Sequence, residues 1–157
     1  MVTQPGVASG PPEEGHMRTY LVVAHRTLVG RSLIDHVRTL GPPDECHLHL
    51  VVPVRHPANH AWTDGEVETA ARARLEEGLT AFRALGFEVS GEIGDANPVY
   101  AVTTALRTSP FRYDGVIVST LPSGASRWLH LDAVSRIRRE VDLPVTHVES
   151  SEVTAPN

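Results

Sequence analysis

The sequence predicts an α/β domain in which a doubly wound parallel sheet is covered by helices on both faces. Three observations carry this. Short apolar, β-branched runs recur along the chain (LVVA at 21–24, HLVV at 49–52, VIV at 116–118), each about one strand long. Longer stretches lie between them, and their apolar residues return every three or four positions, the helical period. The resulting order, βαβαβαβαβ, suits a parallel sheet whose right-handed crossovers place helices on both faces. A chain of 157 residues is long enough to bury its own core and is read as one domain. It shows no convincing internal repeat.

Each element has its own signal. Residues 1–17 (MVTQPGVASGPPEEGHM) are too poor in apolar groups to offset ordering entropy, so a flexible tail is expected ahead of a domain over 18–150. Residues 19–24 (TYLVVA) form the first strand. The first helix runs over 30–40, with Leu33, Val37 and Leu40 on one face, and Gly41, Pro42 and Pro43 stop it. Residues 46–54 (CHLHLVVPV) form the second strand, whose alternation puts Cys46, Leu48 and Leu50 on one face and His47 and His49 on the other. After a loop over 55–62, Thr63 and Glu66 read as the capping box of a long second helix. Its stripe is Val67, Ala71, Leu75, Leu79, Phe82 and Leu85, and Gly86 suits a left-handed terminator. The third strand spans 87–93. Asn97 then caps a third helix, with Pro98 in its first turn and Val99, Val102 and Leu106 inward. Residues 113–119 form the fourth strand. Asp132 is the expected N-cap of a fourth helix carrying Val134, Ile137 and Val141 inward. Pro144 ends that helix, 145–148 form a fifth strand, and 151–157 are expected to fray.

Composition narrows the function classes. The net charge is −5 with His neutral, which disfavours nucleic acid as a partner. Nine His residues make that charge sensitive to mild acid. Cys46 is the single cysteine, so an intrachain disulfide or a cysteine metal cluster is excluded, in keeping with a reducing cytoplasm. No apolar run approaches the length of a membrane span, and residues 1–17 lack the apolar core of a secretory signal.

The stretch with most functional content follows the fourth strand. In open α/β sheets ligands bind outside the carboxyl ends of the strands. There the chain offers Ser119, Thr120, Ser123 and Ser126 as hydroxyls, Gly124 for close approach and Arg127 as a charge, with Pro122 among them. His25 and Arg26 stand at the end of the first strand. Two arginines and several hydroxyls can receive a phosphate or carboxylate; the same hydroxyls also serve as turn residues, with the arginines in solvent. His25 can bond a ligand or act as a base, yet the sequence identifies neither an orienting carboxylate nor a nucleophile for it. The pairs His47/His49 and His56/His60 have zinc-compatible spacing but no evident third or fourth ligand, so a His-rich surface is the expectation. Asp95 reads as a turn residue beside Asn97, and Trp128 with Leu129 as a lid or an interface bump. Arg136, Arg138 and Arg139 read as a solvated helix face.

The YLVVA opening strand, GDANPVYAV ahead of the third helix, YDGVIVST on the fourth strand and the LPVTHV close together resemble the universal stress protein family over residues 20–149. The resemblance implies a five-stranded parallel sheet of order 3-2-1-4-5, the adenine nucleotide alpha hydrolase-like arrangement, with four main helices. It places a crevice between the loops at 25–30 and 119–127. It also implies a homodimer built by the fifth strands, and an edge strand at 145–148 suits this.

Many members of that family bind ATP. Their Asp after the first strand falls on His25 here. Their glycines after the fourth strand fall on Ser119 and Pro122, and their later Gly with its Ser or Thr falls on Asp132 and Ala133. Pro122 has no N–H to offer and fixes φ. Asp132 would set a negative charge where a triphosphate should sit. These exchanges argue against family-type triphosphate binding and leave two ligands in view, an adenine nucleotide such as ATP or another small anion. The expected function is a non-enzymatic binding or regulatory module of the stress-protein type, cytoplasmic and homodimeric. Its pocket would use His25, Arg26, Ser119, Thr120, Ser123, Gly124, Ser126 and Arg127. The alternatives are a ligand-free dimeric interaction module and, third, a weak nucleotide hydrolase.

Overall fold

The computed structural model describes residues 17–24, 27–54, 64–120 and 131–149. In chain order the elements are β1 (Arg18–Val23), α1 (Arg31–Arg38), β2 (Cys46–Pro53), α2 (Asp64–Ala84), β3 (Glu88–Gly94), α3 (Pro98–Thr108), β4 (Gly115–Thr120), α4 (Leu131–Glu140) and β5 (Val145–Glu149), with a 3-10 turn at Pro43–Glu45. The five strands form one sheet, all neighbours parallel, in the order β3-β2-β1-β4-β5. This is the expected 3-2-1-4-5 arrangement.

The two sheet faces bury two separate cores. On one, Val22, Leu48, Leu50, Val52 and Ile117 of the strands meet Leu33 and Val37 of α1 and Ala71, Leu75 and Phe82 of α2. On the other, Leu21, Val23, Val51, Val116 and Val118 meet Val99, Val102 and Ala105 of α3 and Val134 and Ile137 of α4. Central β1 and β4 are therefore buried on both sides, which is why their sequences read as apolar runs rather than alternations. Each fully buried Leu or Val contributes about 2 kcal/mol of transfer free energy. The outer β3 is half-buried and keeps an alternating pattern.

The helix ends follow from their sequences. Asn97 Oδ1 accepts from the backbone N–H of Val99 at 2.9 Å and of Tyr100 at 3.2 Å, satisfying two donors that the first turn of α3 leaves without helical partners. Asp95 Oδ1 accepts from Asn97 N at 2.8 Å, the turn role expected of it. At the end of α2, Gly86 adopts φ +101°. Phe87 N then donates to Phe82 O at 3.1 Å and Gly86 N to Arg83 O at 3.0 Å, a Schellman ending. The rings of Phe82 and Phe87 seal it edge-to-face, with centroids 6.3 Å apart.

Two element starts differ from expectation by two residues. Strand β4 begins at Gly115, not at residue 113, because Asp114 pairs with β1 through its side chain: its Oδ2 accepts from Thr19 N at 2.9 Å while its own N–H donates to Thr19 O at 2.7 Å. Helix α4 begins at Leu131, so Asp132 lies inside the first turn rather than at the N-cap. An acidic residue suits the first turn of a helix as well as its N-cap, which is why the sequence signal is off by so little. The loop at 55–62 and Thr63 of the expected capping box lie outside the described residues, as do the tail before Met17 and residues 150–157.

Gly78 lies within α2 because Leu28 and Leu50 press on the helix there. A Cβ at this position would meet Leu28 Cγ at 2.8 Å and Leu50 Cδ1 at 3.2 Å. Gly78→Ala gains about 1 kcal/mol of helix propensity but overpacks a fully buried leucine, at a cost of about 1–3 kcal/mol. The expected outcome is a net loss of stability, read as a lower urea midpoint with an unchanged m-value; a raised midpoint would show that Leu28 yields freely.

Candidate functional site

Strands β1 and β4 are neighbours whose following helices pack on opposite sheet faces, so their carboxyl ends mark the switch point, the place where open α/β sheets bind ligands. The described residues that line this end are polar and buried. Thr27 and Ser119 are 1% and 0% exposed, and their hydroxyls lie 2.7 Å apart. This bond ties the turn after β1 to the end of β4, and Gly30 N closes that turn onto Thr27 O at 2.9 Å. One residue on, Thr120 Oγ1 meets Nε2 of His147 on β5 at 2.8 Å. Of the predicted pocket residues, the structure thus brings Ser119 and Thr120 to the crevice end of the sheet, with both hydroxyls engaged inside the protein. His25, Arg26, Ser123, Gly124, Ser126 and Arg127 lie outside the described residues, as do Pro122, Trp128, Leu129, His56 and His60.

A second polar group sits at the other end of the sheet, on the α3 side. His47 and His49 do occupy one face of β2, opposite Cys46, Leu48 and Leu50, as the alternation requires. They are not a His-rich surface, however: both are buried. The register explains this. His47 faces Glu88 and His49 faces Ser90 across the β2–β3 pairing. Ser90 Oγ lies 2.9 Å from His47 Nε2 and 2.8 Å from His49 Nδ1, while His49 Nε2 lies 2.8 Å from Glu92 Oε2. The segment between α3 and β4 covers the imidazoles with aromatic rings. Phe111 stands edge-on to His47 at 4.5 Å and lies 5.4 Å from His49, and Tyr113 lies 6.3 Å from His49. Tyr113 is held in turn by its hydroxyl, which donates to Ser109 Oγ at 2.8 Å. Burial, reinforced by the neighbouring His49 and opposed by Glu88, lowers the His47 pKa below its ordinary value. Burial raises the Tyr113 phenol and the Cys46 thiol.

Sequence reading placed the two histidines on their face and missed their partners. The signal available was the alternation Glu88, Ser90, Glu92 on β3, which marks a polar face on a strand, but not the register that sets it against β2. Among the described residues, no three His, Cys, Asp or Glu side chains are grouped to hold a metal ion. Arg136, Arg138 and Arg139 are exposed, and Arg138 Nη2 donates to Val145 O at 3.3 Å.

Comparison with known proteins places the fold. No protein-family model matches the sequence, and no curated protein matches it. Among solved structures, the chain is similar to a universal stress protein from Archaeoglobus fulgidus. The TM-score is 0.52 and the identity 13%, over 85% of this chain and 99% of that one. It is also similar to the crystal structure of a hypothetical protein, with TM-score 0.56 and 13% identity over 87% of this chain and 99% of that one. The fold is thus that of universal stress proteins, an α/β class with a parallel sheet whose strand order reverses between β1 and β4. Among the described residues, no helix is long and apolar enough to cross a membrane.

Two outcomes test this geometry. Thr27→Val strands a fully buried Ser119 hydroxyl, at an expected cost of about 1–3 kcal/mol. The double variant with Ser119→Ala should cost less than the sum of the two single changes. A double-mutant cycle from urea unfolding measures this, and strict additivity would show that the 2.7 Å contact does not couple them. The second concerns pH. Because the His47 pKa is lowered on folding, the unfolded chain binds more protons than the native one once pH falls below the ordinary histidine value, about 6.5. Stability should therefore be fully present above that value and fall as pH drops through it toward the folded pKa. His47→Gln, which keeps an N–H for Ser90, should flatten the loss between pH 7.5 and 5.5 in thermal melts.

Proposed function

We propose that the crevice end of the protein is a non-enzymatic binding module of the stress-protein type, taking a small anionic ligand between the loops that follow β1 and β4. The observation that carries this reading is the buried Thr27–Ser119 bond at the switch point. It holds the ends of β1 and β4 in fixed relation, and the sequence sets His25 and Arg26 just before Thr27 and Ser123, Gly124, Ser126 and Arg127 shortly after Ser119. His25 adds a neutral or cationic donor. Fold likeness to a universal stress protein supports an adenine nucleotide as one such anion; Pro122 and Asp132 in place of glycines favour a smaller one. The proposed setting is cytoplasmic, in a stress response.

A second reading has its own observation. The Ser119 and Thr120 hydroxyls are already bonded inside the protein, and among the described residues β5 is an edge of the sheet. A ligand-free homodimer joined through β5 would use that edge and leave the crevice filled.

One experiment separates them: thermal-shift titration with ATP, ADP, AMP, cyclic AMP and inorganic phosphate, with and without Mg²⁺. A ligand that binds only the native state raises the melting temperature with concentration. The expected outcome is a saturable shift from at least one anion, abolished by Arg127→Ala. The absence of a shift at millimolar concentration rejects the ligand-binding reading, and light scattering of the same sample then shows whether a dimer stands in its place.

A further inference from the structure

The chain His47–Ser90–His49–Glu92 has a direction. Glu92, as a carboxylate, can only accept, so His49 Nε2 carries the proton that lies between them. With that one proton on its ring, His49 presents a bare Nδ1 2.8 Å from the Ser90 hydroxyl, which donates to it. With its one proton committed, Ser90 Oγ accepts from His47 Nε2–H. Each group fixes the tautomer of the next. Glu92 orients the imidazole and stabilises the charge it would acquire. His49 holds the serine proton, and His47 holds an N–H beside the serine oxygen. Burial keeps His47 in the neutral form.

We propose that Ser90 is a nucleophile, with His49 as its general base, Glu92 as a positioning residue and His47 as the donor that receives the developing oxyanion. The roles match the Ser-His-acid constellation, which is recognised by geometry rather than by fold or chain order. The base nitrogen here is Nδ1 and the carboxylate holds Nε2. Access comes from the outer side: among the described residues β3 is an edge strand, Ser90 is half-buried, and the Glu92 side chain is 43% exposed. The Phe111 and Tyr113 rings lie against the imidazoles. An apolar roof beside a carboxylate favours an uncharged acyl group and repels anions, so the substrate class is a small neutral carboxylic ester.

The step balances within the four residues and water. Ser90 Oγ attacks the carbonyl carbon and forms the new C–O bond, and its proton passes to His49 Nδ1. The imidazolium is paired with Glu92. The carbonyl oxygen, now anionic, takes the His47 Nε2–H that the serine oxygen no longer needs. Collapse breaks the bond to the alcohol oxygen, which leaves with the proton from His49. Water then repeats the sequence, releasing the carboxylic acid and restoring Ser90.

The inference uses none of the crevice residues, so it stands or falls apart from the proposed anion site. Its test is covalent labelling of the full chain by an alkyl fluorophosphonate, read by intact mass and peptide mapping. The expected result is one adduct per chain on Ser90, absent in Ser90→Ala. His49→Gln should slow labelling by about 100-fold or more, the usual contribution of a positioned base. Glu92→Gln, at a partly exposed site where folding is not at stake, should slow it by a smaller factor with an unchanged melting temperature. No adduct on Ser90 from millimolar probe, or an equal labelling rate in Glu92→Gln and His49→Gln that both melt as the parent does, overturns the proposal.

Discussion

Everything in this structure depends on β1 being enclosed on four sides. Leu21, Val22, Val23 and Ala24 are fully buried, with helices on both faces and β2 and β4 on both edges. The backbone groups of these four residues face those two neighbours, and their side chains lie in the two apolar cores. A polar group placed there would lose water without gaining a partner. Polar chemistry is therefore forced either to the strand ends, where Thr27, Ser119 and Thr120 sit, or outward to the β2–β3 side. Both polar places follow from one constraint.

Cover on the two faces is unequal, and this explains the second place. Helix α2 has 21 residues and α3 has 11, so they run for roughly 31 Å and 16 Å. The eight residues of β2 span about 26 Å. Helix α2 can lie along the whole strand, and Gly91 lets Leu75 close over β3 on that side. Helix α3 reaches only the carboxyl half, where Ala101 packs on Gly94 and Val51. The start of β2 is left for Phe111 and Tyr113 to cover. Two rings from an irregular segment can shield imidazoles, but they cannot seal the outer strand. A half-buried chain of polar groups is what such a cover permits.

The elements were legible because each rests on local chemistry. Asn97-Pro98 announces a helix start, and Gly86 after a Phe82 stripe announces an end; the Phe82–Phe87 contact joins residues only five apart. The sheet order came from resemblance rather than from periodicity, since parallel pairings link residues far apart in the chain. Asp132 misled because an acidic residue suits both the N-cap and the first turn. The crevice was legible as a place, from strand four running into hydroxyls and glycine. What Ser119 bonds to was not, because Thr27 lies 92 residues away. The same distance problem hid the histidine cluster. His47 and His49 were assigned to their face, but their burial is set by Phe111 and their partners by a strand 41 to 43 residues on.

The two polar places differ in kind. At the crevice end, Thr27 and Ser119 are hydroxyls, each able to donate or accept, and neither ionises. Such a pair has no preferred direction and holds no charge, so its work is positional: it fixes where two loops begin. The group under Phe111 is terminated by a carboxylate that can only accept, and that one asymmetry polarises every bond back to His47. A chain of bonds with a direction can move a proton, and a symmetric pair cannot. The architecture thus separates an undirected tie from a directed chain, with Thr27–Ser119 at the sheet's switch point and His47–Ser90–His49–Glu92 on β2 and β3 toward the opposite end.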